Sequence, residues 1–324
     1  MAKSDVRFTK EFVEIDGHKS GMFIESTDEA NPVLLVVHGG PGFPQYAITK
    51  DASLEWEREF TVCYWEQRGA GMSYNKKTQG ELSLDRLVAD ALAVTEYLKE
   101  RFGKEKVYLF GHSWGSFFGS IMAHRHPEHY HAYIGVGQMG RQLESTKDMH
   151  AFLLKTAMER GDAKAESDIR AVTIDEDFYK NRDLVRIMDR YLIPYGGGMK
   201  REGFSNYTAM KQVLLCNKYS IMERLRFPIA LFSTYASISE TLMGSDTTVL
   251  APTIDIPVYI VHGLYDYQTS HSEAKRFFEH VEAPHKQFFT FENSAHSPYL
   301  EEKERFMEIL REEVLGKERS VRVG

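Results

Sequence analysis

Long apolar runs are missing from this chain of 324 residues. No stretch approaches the roughly 18–20 consecutive apolar residues that cross a bilayer. The opening, MAKSDVRFTKEFVEIDGHKSG, alternates polar and apolar residues and lacks the apolar centre of a secretory signal. These absences point to a cytoplasmic chain with no membrane partner. Cysteine is scarce too: Cys63 and Cys216 are the whole complement. They lie far apart, and Cys63 sits in an apolar, strand-like run. A buried free thiol therefore suits it better than a disulfide. An excess of basic charge is also absent. Lys and Arg number 40 against 47 Asp and Glu, for a net charge of −7. That balance argues against nucleic acid or an anionic membrane as main partner. No internal repeat, low-complexity linker or block of like charge breaks the chain; the tail KERSVRVG is too short to count as one.

What the chain does have is an alternation of strand and helix signals. FTKEFVEID and GMFIEST predict two half-exposed early strands. PVLLVVHGG and EFTVCYWEQRG predict buried ones, because β-branched and aromatic residues crowd them. LSLDRLVADALAVTEYLKERFG carries Leu87, Ala91, Val94 and Leu98 at helical spacing, with Ser83 as N-cap and Gly103 as stop. The strand KVYLF, the helix GSFFGSIMAHRHP and the strand HAYIGVG follow. From about residue 139 to 250 the pattern turns mostly helical. After Pro252 the alternation resumes with IPVYIVHG, SEAKRFFEHV, KQFFTFENS and PYLEEKERFMEILREEVL. This order predicts an α/β fold with a mostly parallel central sheet covered by helices on both faces. The core comprises residues 1–138 and 251–324, and residues 139–250 form an inserted helical cap.

Chemistry-bearing residues gather where strands end, the usual site edge of such sheets. KVYLF runs into GHSWGS, PVLLVV into HGGPG, IPVYIV into HGLYDYQ, and KQFFTF into ENSAHSP. A serine hydroxyl needs a base, the base needs a carboxylate, and a tetrahedral oxyanion needs fixed N–H donors. Ser113 is the candidate nucleophile, His296 the base and Asp266 the carboxylate. The backbone N–H groups of Gly40 and Trp114 are the candidate oxyanion hole. Structural readings compete at each position. Ser113 could be a turn serine, Asp266 a turn cap and His296 a surface loop residue. Among rival carboxylates, Asp255 precedes its strand and Glu292 lies only four residues before His296. His112 adjoins the nucleophile and points elsewhere, while His38 and His262 suit structural roles.

HGGPGF, WEQRGAGMS, GHSWGS, HGLYDYQ and SAHSP together resemble the α/β-hydrolase superfamily, and more narrowly its proline iminopeptidase-like branch. The resemblance spans about residues 20–140 and 250–312. It implies the chain order Ser113, Asp266, His296 and an acyl-enzyme mechanism without metal or cofactor. It also implies an aminopeptidase that releases a small N-terminal residue from a short peptide. A carboxylesterase or lactonase with the same triad is the alternative, and a non-catalytic small-molecule receptor is a third. Glu66 stands where that branch usually has Asp. Iminopeptidases bind the substrate amine with cap carboxylates, and Glu202, Glu223 and Glu240 are the acids in that region with no evident assignment. The Trp114 indole is expected to wall the pocket. HRHPEHYH, with four histidines, reads as a wet surface turn rather than a metal site. YGGGM lacks the Gly-Lys-Ser/Thr ending of a phosphate loop and reads as a flexible joint.

Overall fold

A computed structural model describes residues 6–317; the far tail of KERSVRVG lies outside them. Eight strands form one sheet: β1 (Arg7–Ile15), β2 (His18–Ser26), β3 (Val33–Val37), β4 (Thr61–Trp65), β5 (Val107–His112), β6 (Tyr130–Val136), β7 (Val258–Gly263) and β8 (Lys286–Phe291). Their spatial order is β1-β2-β4-β3-β5-β6-β7-β8. β1, β2 and β4 pair antiparallel, and the six strands from β4 to β8 pair parallel. Every residue of β3 and β4 is buried. Parallel strands covered on both faces read as unbroken apolar runs for this reason.

The helices between and after these strands are α1 (Tyr46–Ala52), α2 (Leu84–Phe102), α3 (Trp114–Arg125), α4 (Gln142–Glu159), α5 (Ala163–Arg170), α6 (Arg182–Ile187), α7 (Asn206–Leu215), α8 (Ile221–Met243), α9 (Thr247–Leu250), α10 (His271–His280), α11 (Pro298–Glu301) and α12 (Lys303–Ile309). Successive strand residues face opposite ways. Leu35, Val37 and Leu109 therefore join α2, α3 and α10 in one core, with Leu98, Ile121 and Phe277. Leu34, Val36 and Phe110 join Trp56, Tyr299 and Phe306 in the other. Ser83 caps α2 by accepting from Arg86 N, and Gly103 ends it in the left-handed region at φ 60°.

Six helices, α4 to α9, lie between β6 and β7, and no strand forms there among the described residues. Leu143, Met149, Leu153, Ile169, Leu184 and Leu192 pack there as a separate buried cluster. The structure departs from the sequence reading near the end of the chain. PYLEEKERFMEILREEVL is broken at Glu302, whose φ of −121° and ψ of 55° are not helical. The break lets both neighbouring acids reach the loop before them. Glu301 accepts from Ala295 N at 2.8 Å, and Glu302 accepts from Ser294 Oγ at 2.5 Å.

Candidate active site

Ser113 occupies the sharp junction between β5 and α3. Its φ of 56° and ψ of −124° belong to a backbone conformation that only firm surroundings maintain, at a cost on the order of 1–3 kcal/mol. The junction closes because its flanking residues have no Cβ. Such an atom on Gly111 would sit 2.2 Å from Gly115 O, and on Gly115 it would sit 2.1 Å from Val37 O. Glycine thus lets the start of α3 press onto the ends of β5 and β3. Ser113 N donates to Val136 O at 3.0 Å, and Ser113 O accepts from Ser116 N at 2.7 Å. Trp114 follows as the first residue of α3, in the turn whose N–H groups have no partner within the helix.

His296 stands in the loop after β8, and its Nδ1 lies 2.8 Å from Asp266 Oδ2. Both residues are buried, at 2% and 1% exposure. Asp266 Oδ1 accepts from Gln268 N at 2.9 Å and Thr269 N at 3.0 Å. Oδ2 also accepts from Thr269 Oγ1 at 2.9 Å and faces His262 Nε2 at 3.2 Å. Burial alone would raise this carboxyl group. His296, His262 and their hydrogen bonds outweigh that and hold it well below the usual carboxylate range. An ionised Asp266 accepts, so His296 carries its proton on Nδ1. The lone pair is then left on Nε2, as a general base requires. His262 is locked the other way. Its Nδ1 accepts from Gln138 N at 3.1 Å, so its Nε2–H donates to Thr269 O at 2.9 Å and toward Asp266.

Ser113 and His296 line one cavity of about 160 Å³ together with Gly39, Gly40 and His112. Phe43, Ile48, Met199, Phe204, Ala209 and Tyr299 make the rest of the wall largely apolar, with Gln45 and Gln268 as polar exceptions. The rival acids lie elsewhere: Asp255 and Glu292 are both exposed. The rival histidines are structural. His112 Nε2–H donates to His296 O at 3.0 Å, and burial pushes its pKa down to about 3. His38 Nε2 accepts from Gln67 N at 3.1 Å, and burial pushes that ring down to about 4.

Two expectations need correction. The Trp114 indole does not wall the cavity. It is buried, stacks on Phe117 and Phe118, and donates from Nε1 to Gln67 Oε1 at 2.8 Å. Gln67 Nε2 in turn donates to His38 O at 2.9 Å, so the indole braces the loop that carries Gly40. The glycines of YGGGM are not a free joint either. Gly197 O accepts from Tyr267 N and Gly198 O from His296 N, each at 3.3 Å. Glu66 is buried, and its Oε2 accepts from Met72 N at 2.5 Å. Its other oxygen accepts from the hydroxyl of Tyr219, between α7 and α8. The three cap acids left unassigned do not line the cavity. Glu223 pairs with Lys10 at 2.6 Å and caps α8, while Glu202 and Glu240 are exposed.

Sequence reasoning gave His262 a structural role, and it faces Asp266 from behind the site at 3.2 Å. It missed Thr269 and Gln67, which hold Asp266 and the His38 carbonyl; their only signal was closeness to strand ends.

Residues 32–303 match a family model described as alpha/beta hydrolase fold. A Bacillus subtilis (strain 168) protein named "Probable aminopeptidase YbaC" is 30% identical over 314 residues, covering 95% of this chain and 96% of that protein. A Saccharolobus solfataricus protein named proline iminopeptidase is 23% identical over 293 residues, covering 87% of this chain and 84% of the relative. The crystal structure of a Mycobacterium smegmatis proline iminopeptidase superposes with a TM-score of 0.64 at 19% identity, over 93% of this chain and 96% of the other. At that identity the likeness is one of fold.

Proposed function

The chain belongs to the alpha/beta hydrolase family, and from that premise we propose that it is a serine hydrolase working through an acyl-enzyme. Ser113 Oγ attacks the substrate carbonyl carbon while His296 Nε2 takes the hydroxyl proton. The N–H groups of Gly40 and Trp114 receive the oxyanion. As the carbonyl re-forms, the bond to the leaving group breaks and His296 protonates that group. Water then repeats the sequence on the Ser113 ester and releases the acid. Asp266 keeps the His296 proton on Nδ1 and stabilises the imidazolium. One observation carries this reading: His296, held at 2.8 Å by the buried Asp266, lines the same cavity as a serine held at φ 56°. Residues 139–250 act as the cap, since Met199, Phe204 and Ala209 close the cavity from that segment.

The leading substrate reading is an aminopeptidase of iminopeptidase type that releases a small N-terminal residue. The relatives named aminopeptidase and proline iminopeptidase support it. The cavity lining favours a second reading, a carboxylesterase. Among the described residues no carboxylate lines the cavity, and a desolvated ammonium group needs such a partner. A panel of proline and alanine arylamides beside short-chain p-nitrophenyl esters separates the two. Turnover of the arylamides supports the peptidase. Brisk ester hydrolysis with the arylamides untouched replaces it with the esterase. Ser113→Ala abolishes whichever activity is present, and full activity in that variant removes Ser113 from the mechanism.

A further inference from the structure

The four histidines of HRHPEHYH separate in the structure. His124 Nδ1 bonds Thr253 O at 2.6 Å, and the His131 ring packs on Tyr108 with centroids 5.0 Å apart. His126 and His129 remain, joined by the short 3-10 turn Pro127–His129 that follows α3, with Glu128 between them. His126 Nδ1 is 3.6 Å from Glu128 Oε1, and His129 Nε2 is 3.2 Å from the same oxygen. One donor atom from each of the three residues lies within 4.8 Å of the other two. On the far side of the His129 ring, Nδ1 meets Glu96 Oε1 at 2.8 Å. Lys99 Nζ lies 3.0 Å from that nitrogen and 3.1 Å from Glu96.

We propose that His126, Glu128 and His129 form a site for a divalent transition metal of the zinc class, at the carboxyl end of the nucleophile-bearing helix α3. Lys99 can only donate, and its Nζ gives His129 Nδ1 a hydrogen bond at 3.0 Å, so without metal the ring proton sits on Nε2 and points toward Glu128. A cation placed between His129 and Glu128 displaces that proton. The ring then carries its proton on Nδ1, where the Glu96 carboxylate lies 2.8 Å away to accept it. Two imidazole nitrogens and one carboxylate oxygen suit Zn²⁺, Ni²⁺ or Cu²⁺ better than Ca²⁺ or Mg²⁺, which prefer oxygen-only sets. Glu96 behind His129 is the carboxylate–histidine pairing that fixes ring orientation at metal centres. The helix end adds its partial negative charge, which favours cations. His126 N already donates to Met122 O at 2.9 Å, which fixes this corner. Bound metal links α3 to α2, because Glu96 lies on α2.

The test is a calorimetric titration of Zn²⁺ into the untagged, chelator-stripped full chain at about pH 8. One zinc per chain is expected, with no uptake of Mg²⁺. Glu128→Gln at a largely exposed position cannot unfold the chain, and it weakens binding at least tenfold, as does His129→Gln. Glu96→Gln touches no metal and weakens binding about 10- to 100-fold, whereas His131→Ala leaves it unchanged. Zinc also raises the melting temperature of the wild-type chain and not of the doubly substituted H126N/H129Q chain. An absence of zinc uptake overturns the site. So does an affinity that the Glu128 and His129 substitutions leave unchanged.

Discussion

Asp266→Asn is the sharpest test of the proposed base. Oδ1 is held by two backbone donors, Gln268 N and Thr269 N. An asparagine keeps its carbonyl oxygen there, so its amide nitrogen takes the place of Oδ2. Oδ2 is where Thr269 Oγ1, His262 Nε2 and His296 Nδ1 all converge. The amide nitrogen has only hydrogens to offer, so His296 must present a bare Nδ1 to it. The imidazole proton moves to Nε2, the nitrogen that has to accept from Ser113. Inverting the tautomer of a catalytic histidine in this way costs on the order of 10⁴ in kcat, about 5.5 kcal/mol. KM should stay nearly constant, because Asp266 does not line the cavity. The assay is steady-state hydrolysis of whichever ester or arylamide the wild type prefers, with near-ultraviolet circular dichroism as the check on folding. A folded D266N chain that keeps a tenth or more of the wild-type kcat refutes the assignment.

Two further outcomes follow from buried groups. Burial pushes Glu66 up to about 7 from an ordinary 4.5. Its folded pKa is raised, so its contribution to stability is fully present below about 4.5 and lost as pH rises through about 7, a span worth about 3 kcal/mol. Glu66→Gln keeps an acceptor for Met72 N and reverses the bond to Tyr219, its amide donating to the hydroxyl oxygen, and it should abolish that part of the pH dependence in urea unfolding. Equal pH slopes in the two chains would count against it. Gly115→Ala places a methyl group 2.1 Å from Val37 O. It should cost more than about 4 kcal/mol, read as a collapse in soluble yield or melting temperature. A variant that melts with the wild type contradicts the close approach of α3 to β3.

The proposed nucleophile, carboxylate and base were legible because each follows a strand, and strand ends of a parallel sheet share one edge. That rule left His38, His262 and Glu292 as rivals, and the chain order of the resembled family pointed to Ser113, Asp266 and His296 among them. Residues that act from behind the site carry no such signal. Thr269 is three residues past Asp266, and nothing in its type distinguishes it from a turn threonine. Gln67 reveals itself only when Trp114 and His38 are seen to meet it. The helical block was legible as helix, but its attachment was not. Gly197 and Gly198 read as slack, whereas their carbonyls hold Tyr267 and His296. The break at Glu302 was hidden for a similar reason. Glu301 and Glu302 suit a helix by propensity, and tertiary hydrogen bonds to Ala295 and Ser294 override it.

The two carbonyls of Gly197 and Gly198 bear on how this scaffold could be re-engineered. Substrate preference in such folds invites grafting, with the helical segment of one protein exchanged for that of another. Here the graft would carry away acceptors for Tyr267 N and His296 N, on the two loops that hold Asp266 and His296. A chimaera joined at residues 139 and 250 therefore inherits a new pocket and a loosened base together. A donor segment that brings two backbone carbonyls back to those positions is a better graft than one matched on length or helix content.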